Sequence, residues 1–182
     1  MSIIVLVVVV ALIVVYVASI YNVLVQSRNK VRDQFSQIDV QLKRRFDLIP
    51  NLVETVKGYV KHESETLEKV IQARNNYSNA KTEAEKVAAS NEMSRGVMNI
   101  MALSESYPDL KANTNFIDLQ NQLKEIEDKI SYARQFYNDT VLMYNNKVEM
   151  FPSNLVASVF KFTKEAFFEA DEKERENVQV KF

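Results

Sequence analysis

Five charged residues, Asp39, Lys43, Arg44, Arg45 and Asp47, fall close together in this 182-residue chain. On a helix, Asp39 with Lys43 and Lys43 with Asp47 are i,i+4 neighbours, and such surface pairs stabilise by only about 0.2–0.5 kcal/mol each. Arg45 differs from the rest. It lies three residues after Leu42 and four before Ile49, on the apolar stripe itself, where an unpaired guanidinium is costly to bury. It either extends outward past the stripe to water or meets a carboxylate on a facing helix, with Glu125, Glu127 and Asp128 as candidate partners. A structural ion pair is the preferred reading. A groove that recognises an acidic partner or a lipid headgroup stays open beside it.

Other chemistry is poorly supplied. The single histidine, His62, leaves no His-pair metal site and no HExxH pattern, and a Ser-His-Asp arrangement would have to use it. His62-Glu63 reads instead as a helix-end feature, donating to or charging the last carbonyls. With no cysteine, disulfides, thiolate metal sites and thiol nucleophiles are excluded. The only glycines are Gly58 and Gly96, so no glycine-rich phosphate loop exists. The expectation is therefore no catalytic residue, no metal ligand and no cofactor. Its 23 basic and 24 acidic residues, net charge −1, are interspersed rather than blocked, which does not point to nucleic acid.

The elements that must position these residues begin with an apolar rod. Ile3 to Ile20 reads IIVLVVVVALIVVYVASI, and no charged residue appears before Arg28. Eighteen residues at 1.5 Å each span about 27 Å, close to the roughly 30 Å hydrocarbon core of a bilayer. This is a membrane-spanning segment, Ile3 through Ile20. A cleavable signal is the rival, since Val17-Ala18-Ser19 loosely resembles a cleavage site, but the apolar run is longer than usual and no basic residues precede it.

Two glycines and three prolines leave almost no turn chemistry, which is the mark of a few long helices. Val31, Phe35, Ile38, Leu42, Ile49, Val53, Val56 and Val60 step by threes and fours or their sum, predicting one helix from Ile3 to about Lys61 with Pro50 inside it. A second helix carries Leu67, Val70, Ile71, Arg74 and Tyr77. Thr82 followed by Glu83 and Glu85 predicts a capped start to a third, running to about Ser106 and ended by Tyr107-Pro108-Asp109. The clearest pattern is Phe116, Leu119, Leu123, Ile126, Ile130, Ala133, Tyr137, Thr140, Tyr144 and Val148. Phe151-Pro152 stops it, and Ser153 is expected to cap a short helix of about Asn154 to Phe160. The fold class is thus all-α: a transmembrane helix continuing into an antiparallel up-and-down bundle of about four helices. The divisions are an anchor at 1–27, a bundle at 28–168 and a charged, flexible tail at 169–182. Coiled-coil pairing with a partner is the rival use of the same heptads.

The same residues carry a resemblance. Tyr21-Asn22-Val23-Leu24-Val25, the run Gln37 to Arg45, Asp47-Leu48-Ile49-Pro50-Asn51-Leu52-Val53 and Lys57-Gly58-Tyr59 closely resemble the LemA family. The likeness continues in Tyr107-Pro108-Asp109-Leu110-Lys111-Ala112-Asn113, Tyr137-Asn138, Tyr144-Asn145 and Phe151-Pro152, covering nearly the whole chain. It implies a bacterial protein with an N-terminal membrane helix, a short outside N-terminus, a helical bundle inside and no known enzyme activity. The expected role is structural, scaffolding or protein-interaction, with self-assembly into a homo-oligomer; a ligand-binding or sensory bundle is the alternative. The expected partners are the lipid bilayer, copies of itself and a membrane or cytoplasmic protein. Arg28, Lys30 and Arg32 follow the span, and by the positive-inside bias this predicts a cytoplasmic bundle anchored in the inner membrane.

Overall fold

The computed structural model of this chain describes residues 2–60 and 63–168. Every regular element among them is a helix: α1 Ser2–Lys57, α2 Ser64–Asn79, α3 Glu83–Ser104, α4 Pro108–Lys111, α5 Thr114–Glu149 and α6 Ser153–Val159. His62 and the tail 169–182 lie outside the described residues. The contacts divide the chain into two units.

The first unit holds residues 2–37 and 133–168. Its α1 stretch opens apolar and unburied: Ile3 is 77% exposed and Val15 67%. From Leu24 onward one face turns inward, with Leu24, Ser27 and Val31 buried. Facing residues come from α5, where Tyr137, Val141 and Tyr144 are buried. Val141 takes the core position expected of Thr140, whose hydroxyl bonds back to the Phe136 carbonyl at 2.8 Å instead.

α6 closes in a Schellman turn. The Phe162 amide donates to the Ala157 carbonyl at 2.9 Å and the Lys161 amide to Ser158, with Lys161 at φ 57° in the left-handed region. Ser153 is not the cap that its type suggested. It is the first helical residue, Pro152 stands at the N-cap after a cis peptide bond, and the Ser153 hydroxyl bonds to the Met150 carbonyl. Beyond the turn, residues 163–168 run as an extended strap that α5 holds by side-chain hydrogen bonds from Tyr137, Asn138, Tyr144 and Asn145.

The second unit contains residues 38–132. Ile38, Leu42, Arg45, Ile49, Leu52, Val53 and Val56 form its buried α1 stripe. Of these, Ile49, Leu52, Val53 and Val56 pack with Leu67 and Val70 of α2, Ile100 of α3, Leu110 of α4 and Phe116, Leu119 and Leu123 of α5 in one core. α1 passes Pro50 and stops at Lys57, short of Lys61, because Gly58 is a poor helix residue and the Tyr59 and Val60 amides both return to the Val56 carbonyl. α3 starts in a full capping box: the Glu85 amide donates to the Thr82 hydroxyl, and the Glu85 carboxylate accepts from the Thr82 amide. α3 ends at Ser104 rather than near Ser106, and Pro108 does more than stop it. Its fixed φ and missing N–H suit a first helical position, so it opens α4.

Candidate functional site

Arg45 is the largest fully buried side chain among the described residues, 1% exposed. Placed on the inner stripe of α1, its guanidinium reaches α3 and α5 at once. One terminal nitrogen donates to Glu127 Oε2 at 2.6 Å and to the Ser94 hydroxyl at 2.5 Å. The other donates to the Ser90 carbonyl at 2.8 Å and the Ser90 hydroxyl at 2.5 Å. Ser94 in turn donates to Glu127. Burying a guanidinium costs several kcal/mol, and only such a set of acceptors with a counter-charge offsets it.

Of the three carboxylates within reach by sequence, Glu127 meets Arg45. Glu125 pairs with Lys129 on its own helix at 2.5 Å; that hydrogen bond holds its carboxyl below the usual carboxylate range. Lys43 pairs with Asp47 on the surface, and Arg44 is exposed. Asp39 leaves that group altogether: it accepts from the Tyr77 hydroxyl at 2.9 Å and from Lys86 at 3.0 Å. Burial, and then this hydrogen bond to a carboxylate, push the Tyr77 phenol well above its ordinary value. Of the five charged residues singled out by sequence, Lys43 and Asp47 therefore pair with each other, while Asp39 and Arg45 bond to residues of other helices.

Above the Arg45 network, α3 and α5 leave a half-open cleft of about 460 Å³. Val97, Met98, Met101 and Leu123 form its apolar wall; Arg45, Ser94 and Glu127 form its polar end, with Lys124 and Asp128 also lining it. The acceptors around Arg45 engage both of its terminal nitrogens, so the floor is a structural tie and the apolar wall is the surface offered to an occupant. Ser90, Ser94, Met98 and Met101 escape sequence reading, since α3 is rich in small residues on every side and gives no sharp apolar face. Among the described residues, no three His, Cys, Asp or Glu side chains are grouped to hold a metal.

α1 supplies the remaining feature. It alone among the described helices is long and apolar enough to cross a membrane, with an 18-residue window of mean hydropathy 3.4, none of it buried.

Comparison with known proteins adds the relatives. The sequence profile of the LemA family matches residues 34–182, a stretch that includes Arg45, Ser94 and Glu127. Protein LemA of Metamycoplasma hominis is 30% identical over 162 residues, covering 87% of this chain and 73% of its own length. Magnetosome proteins MamQ 1 and MamQ 2 of Paramagnetospirillum magneticum are each 29% identical over 70 residues, covering 38% of this chain and 26% of theirs.

Proposed function

The chain belongs to the LemA family, and from that premise we propose a membrane-anchored helical-bundle protein, not an enzyme, with a structural, scaffolding or protein-interaction role. It assembles at the membrane with copies of itself or with another protein. The observation that carries this reading is the continuity of α1. One unbroken helix holds an unburied apolar segment and then the buried stripe around which other helices pack. At roughly −0.3 to −0.6 kcal/mol for each Val, Ile or Leu, Ile3–Ile20 favours a bilayer by several kcal/mol. Short connections between successive helices support an antiparallel up-and-down arrangement. The basic flank after the span, Arg28, Lys30 and Arg32, supports a cytoplasmic bundle on an inner membrane.

Cross-linking of the full-length chain in native membranes, at natural expression levels, tests the role. Discrete adducts with itself or a partner are expected; exclusively monomeric product overturns it.

The α3–α5 cleft favours a second reading, a ligand-binding or sensory bundle coupled to the membrane through α1. Hydrodynamic size in detergent separates the two: a discrete large assembly supports the first, and a monomer whose stability rises with a bound small molecule supports the second.

A further inference from the structure

From Met150 to Phe160 the chain reads MFPSNLVASVF, without a charged residue. α6 lies within this run, and it carries large apolar residues on both its buried and its exposed side. Val156 and Ala157 are buried, whereas Leu155 and Val159, four apart on one side of the helix, are 59% and 75% exposed. Phe151 is 79% exposed and Met150 62%. A helix whose outer side meets water carries polar residues there. Here the exposed residues of α6 are Leu155, Ser158 and Val159, so the outer side is mostly apolar and carries no charge.

Its position indicates what covers it. The Phe160 ring lies 4.8 Å from that of Tyr21, and Tyr21 immediately follows Ile20, where the apolar rod of α1 ends. Within this unit the run therefore sits at the level where α1 leaves the hydrocarbon, the depth at which aromatic side chains gather. Basic groups stand beside it: Lys161 follows the run directly, and the Arg28 guanidinium lies 5.1 Å over the Phe162 ring. An uncharged apolar face edged by cations matches the boundary between acyl chains and phosphate headgroups.

We propose that Met150–Phe160 is a second membrane-contact site. α6 lies in the headgroup region of the bilayer that α1 spans, with Phe151, Leu155 and Val159 inserted among the upper acyl carbons. The inference rests on the anchor reading given above, and its test separates the two.

Because the chain has no cysteine, single-site labels are clean. The full-length variants Leu155→Cys, Val159→Cys and Val9→Cys each carry an environment-sensitive fluorophore in phosphatidylcholine–phosphatidylglycerol vesicles containing spin-labelled lipid. The two α6 variants replace exposed side chains, and circular dichroism confirms the helix content of each. The expected result is a blue shift at all three positions, with loss of emission to a shallow lipid quencher at 155 and 159 and to a deep one at 9. Quenching at 9 without quenching at 155 and 159 overturns the second contact alone. No quenching at 9 overturns the anchor and the second contact with it. A blue shift at 155 and 159 that no lipid quencher reaches means that a protein, or a second copy, covers the face, and this too overturns the proposal.

Discussion

Asn145 grips Glu165 by both of its backbone polar atoms: the side-chain amide donates to the Glu165 carbonyl and its oxygen accepts from the Glu165 amide, each at 2.9 Å. Asn138 does the same for Phe168, at 3.1 and 2.8 Å. The tyrosine before each asparagine adds a bond: Tyr144 to the Thr163 carbonyl at 2.9 Å and Tyr137 to that of Ala166 at 3.0 Å. The two sets are seven residues apart on α5 and three apart on the strap. Seven helical residues rise about 10.5 Å and three extended residues about 10 Å, so the spacings match, and α5 can carry an extended chain antiparallel to itself.

Replacing Asn145 should release the strap. Asn145→Asp keeps the acceptor but sets a carboxylate oxygen against the Glu165 carbonyl, and Asn145→Leu loses both bonds. Each should cost about 1–3 kcal/mol, the range for leaving buried polar groups without partners. Hydrogen exchange on the full-length protein should rise at 163–168 first. Unchanged exchange there would remove the clamp as the strap's support.

The buried ion pair gives a second, less intuitive ordering. Arg45→Met leaves Glu127 unpaired, but the Glu127 side chain is 46% exposed and turns to water, so the loss should be about 1–2 kcal/mol. Glu127→Ala takes away the carboxylate 2.6 Å from a buried guanidinium that cannot turn to water, and should cost about 3 kcal/mol. The more exposed partner is thus the more damaging one to remove, and the double variant should cost less than the sum. Denaturant unfolding of the three variants decides it, and a larger loss for Arg45→Met than for Glu127→Ala refutes the account.

These two features mark how far the sequence could be read. The Arg45 register was legible because Leu42 and Ile49 fix the stripe, and charge complementarity narrowed its partner to three carboxylates. The serines of α3 were not legible, since small residues occur on every side of that helix. Thr82 and Glu85 declared a helix start through a purely local pattern. Pro108 showed only half its role, because the same rigid ring that marks the end of one helix also begins another. The strap has no periodicity to read, for an extended segment bound by side chains has neither a helical nor a strand repeat. Its only trace is on α5, where Tyr-Asn recurs after seven residues and sets a polar side chain against the core.

Gly96 should resist a substitution that ordinarily helps. In a helix, Gly→Ala usually gains about 1 kcal/mol. A Cβ on Gly96 would stand 2.8 Å from Val70 Cγ2 and 3.4 Å from Val70 Cα, where α2 meets α3. Val70 is fully buried and β-branched, so it cannot easily turn aside, and overpacking of this kind costs about 1–3 kcal/mol. Gly96→Ala should therefore be neutral to destabilising, and its cost should shrink when it is made in a Val70→Ala background. A thermal scan showing clear stabilisation by Gly96→Ala alone would contradict the close approach.

Alkaline pH should weaken the fold through Tyr77. Burial and the Asp39 carboxylate raise its folded pKa above the usual 10.0, and burial raises that of Tyr144 in the same direction. The folded chain then holds phenolic protons that the unfolded chain releases. Their contribution is complete below about pH 10 and is lost as pH rises beyond it. Unfolding midpoints measured from neutral to alkaline pH should fall at the alkaline end, and Tyr77→Phe should fall less steeply over that window. An equal decline in both proteins would assign the effect to other groups.

The last prediction is the orientation of the anchor. Arg28, Lys30 and Arg32 lie within about 15 residues of the end of the apolar segment, against the single acid Asp33, and the bias for retaining Lys and Arg on the cytoplasmic side acts over that distance. Arg28 and the neutral Ser27 also sit on the helix where the first unit packs, with Lys147 donating to the Ser27 hydroxyl at 2.7 Å, so the basic flank belongs to folded structure and not to a loose loop. A reporter pair fused after Phe182, one active only inside the cell and one only outside, reads the orientation directly. Activity of the inside reporter alone is expected. Substituting Arg28, Lys30 and Arg32 by glutamine should then shift a fraction of molecules to the outside reporter, because the charge bias would be gone while the apolar span is unchanged. Outside activity in the native chain would reverse the topology, and an unchanged inside reading in the glutamine variant would show that another determinant sets it.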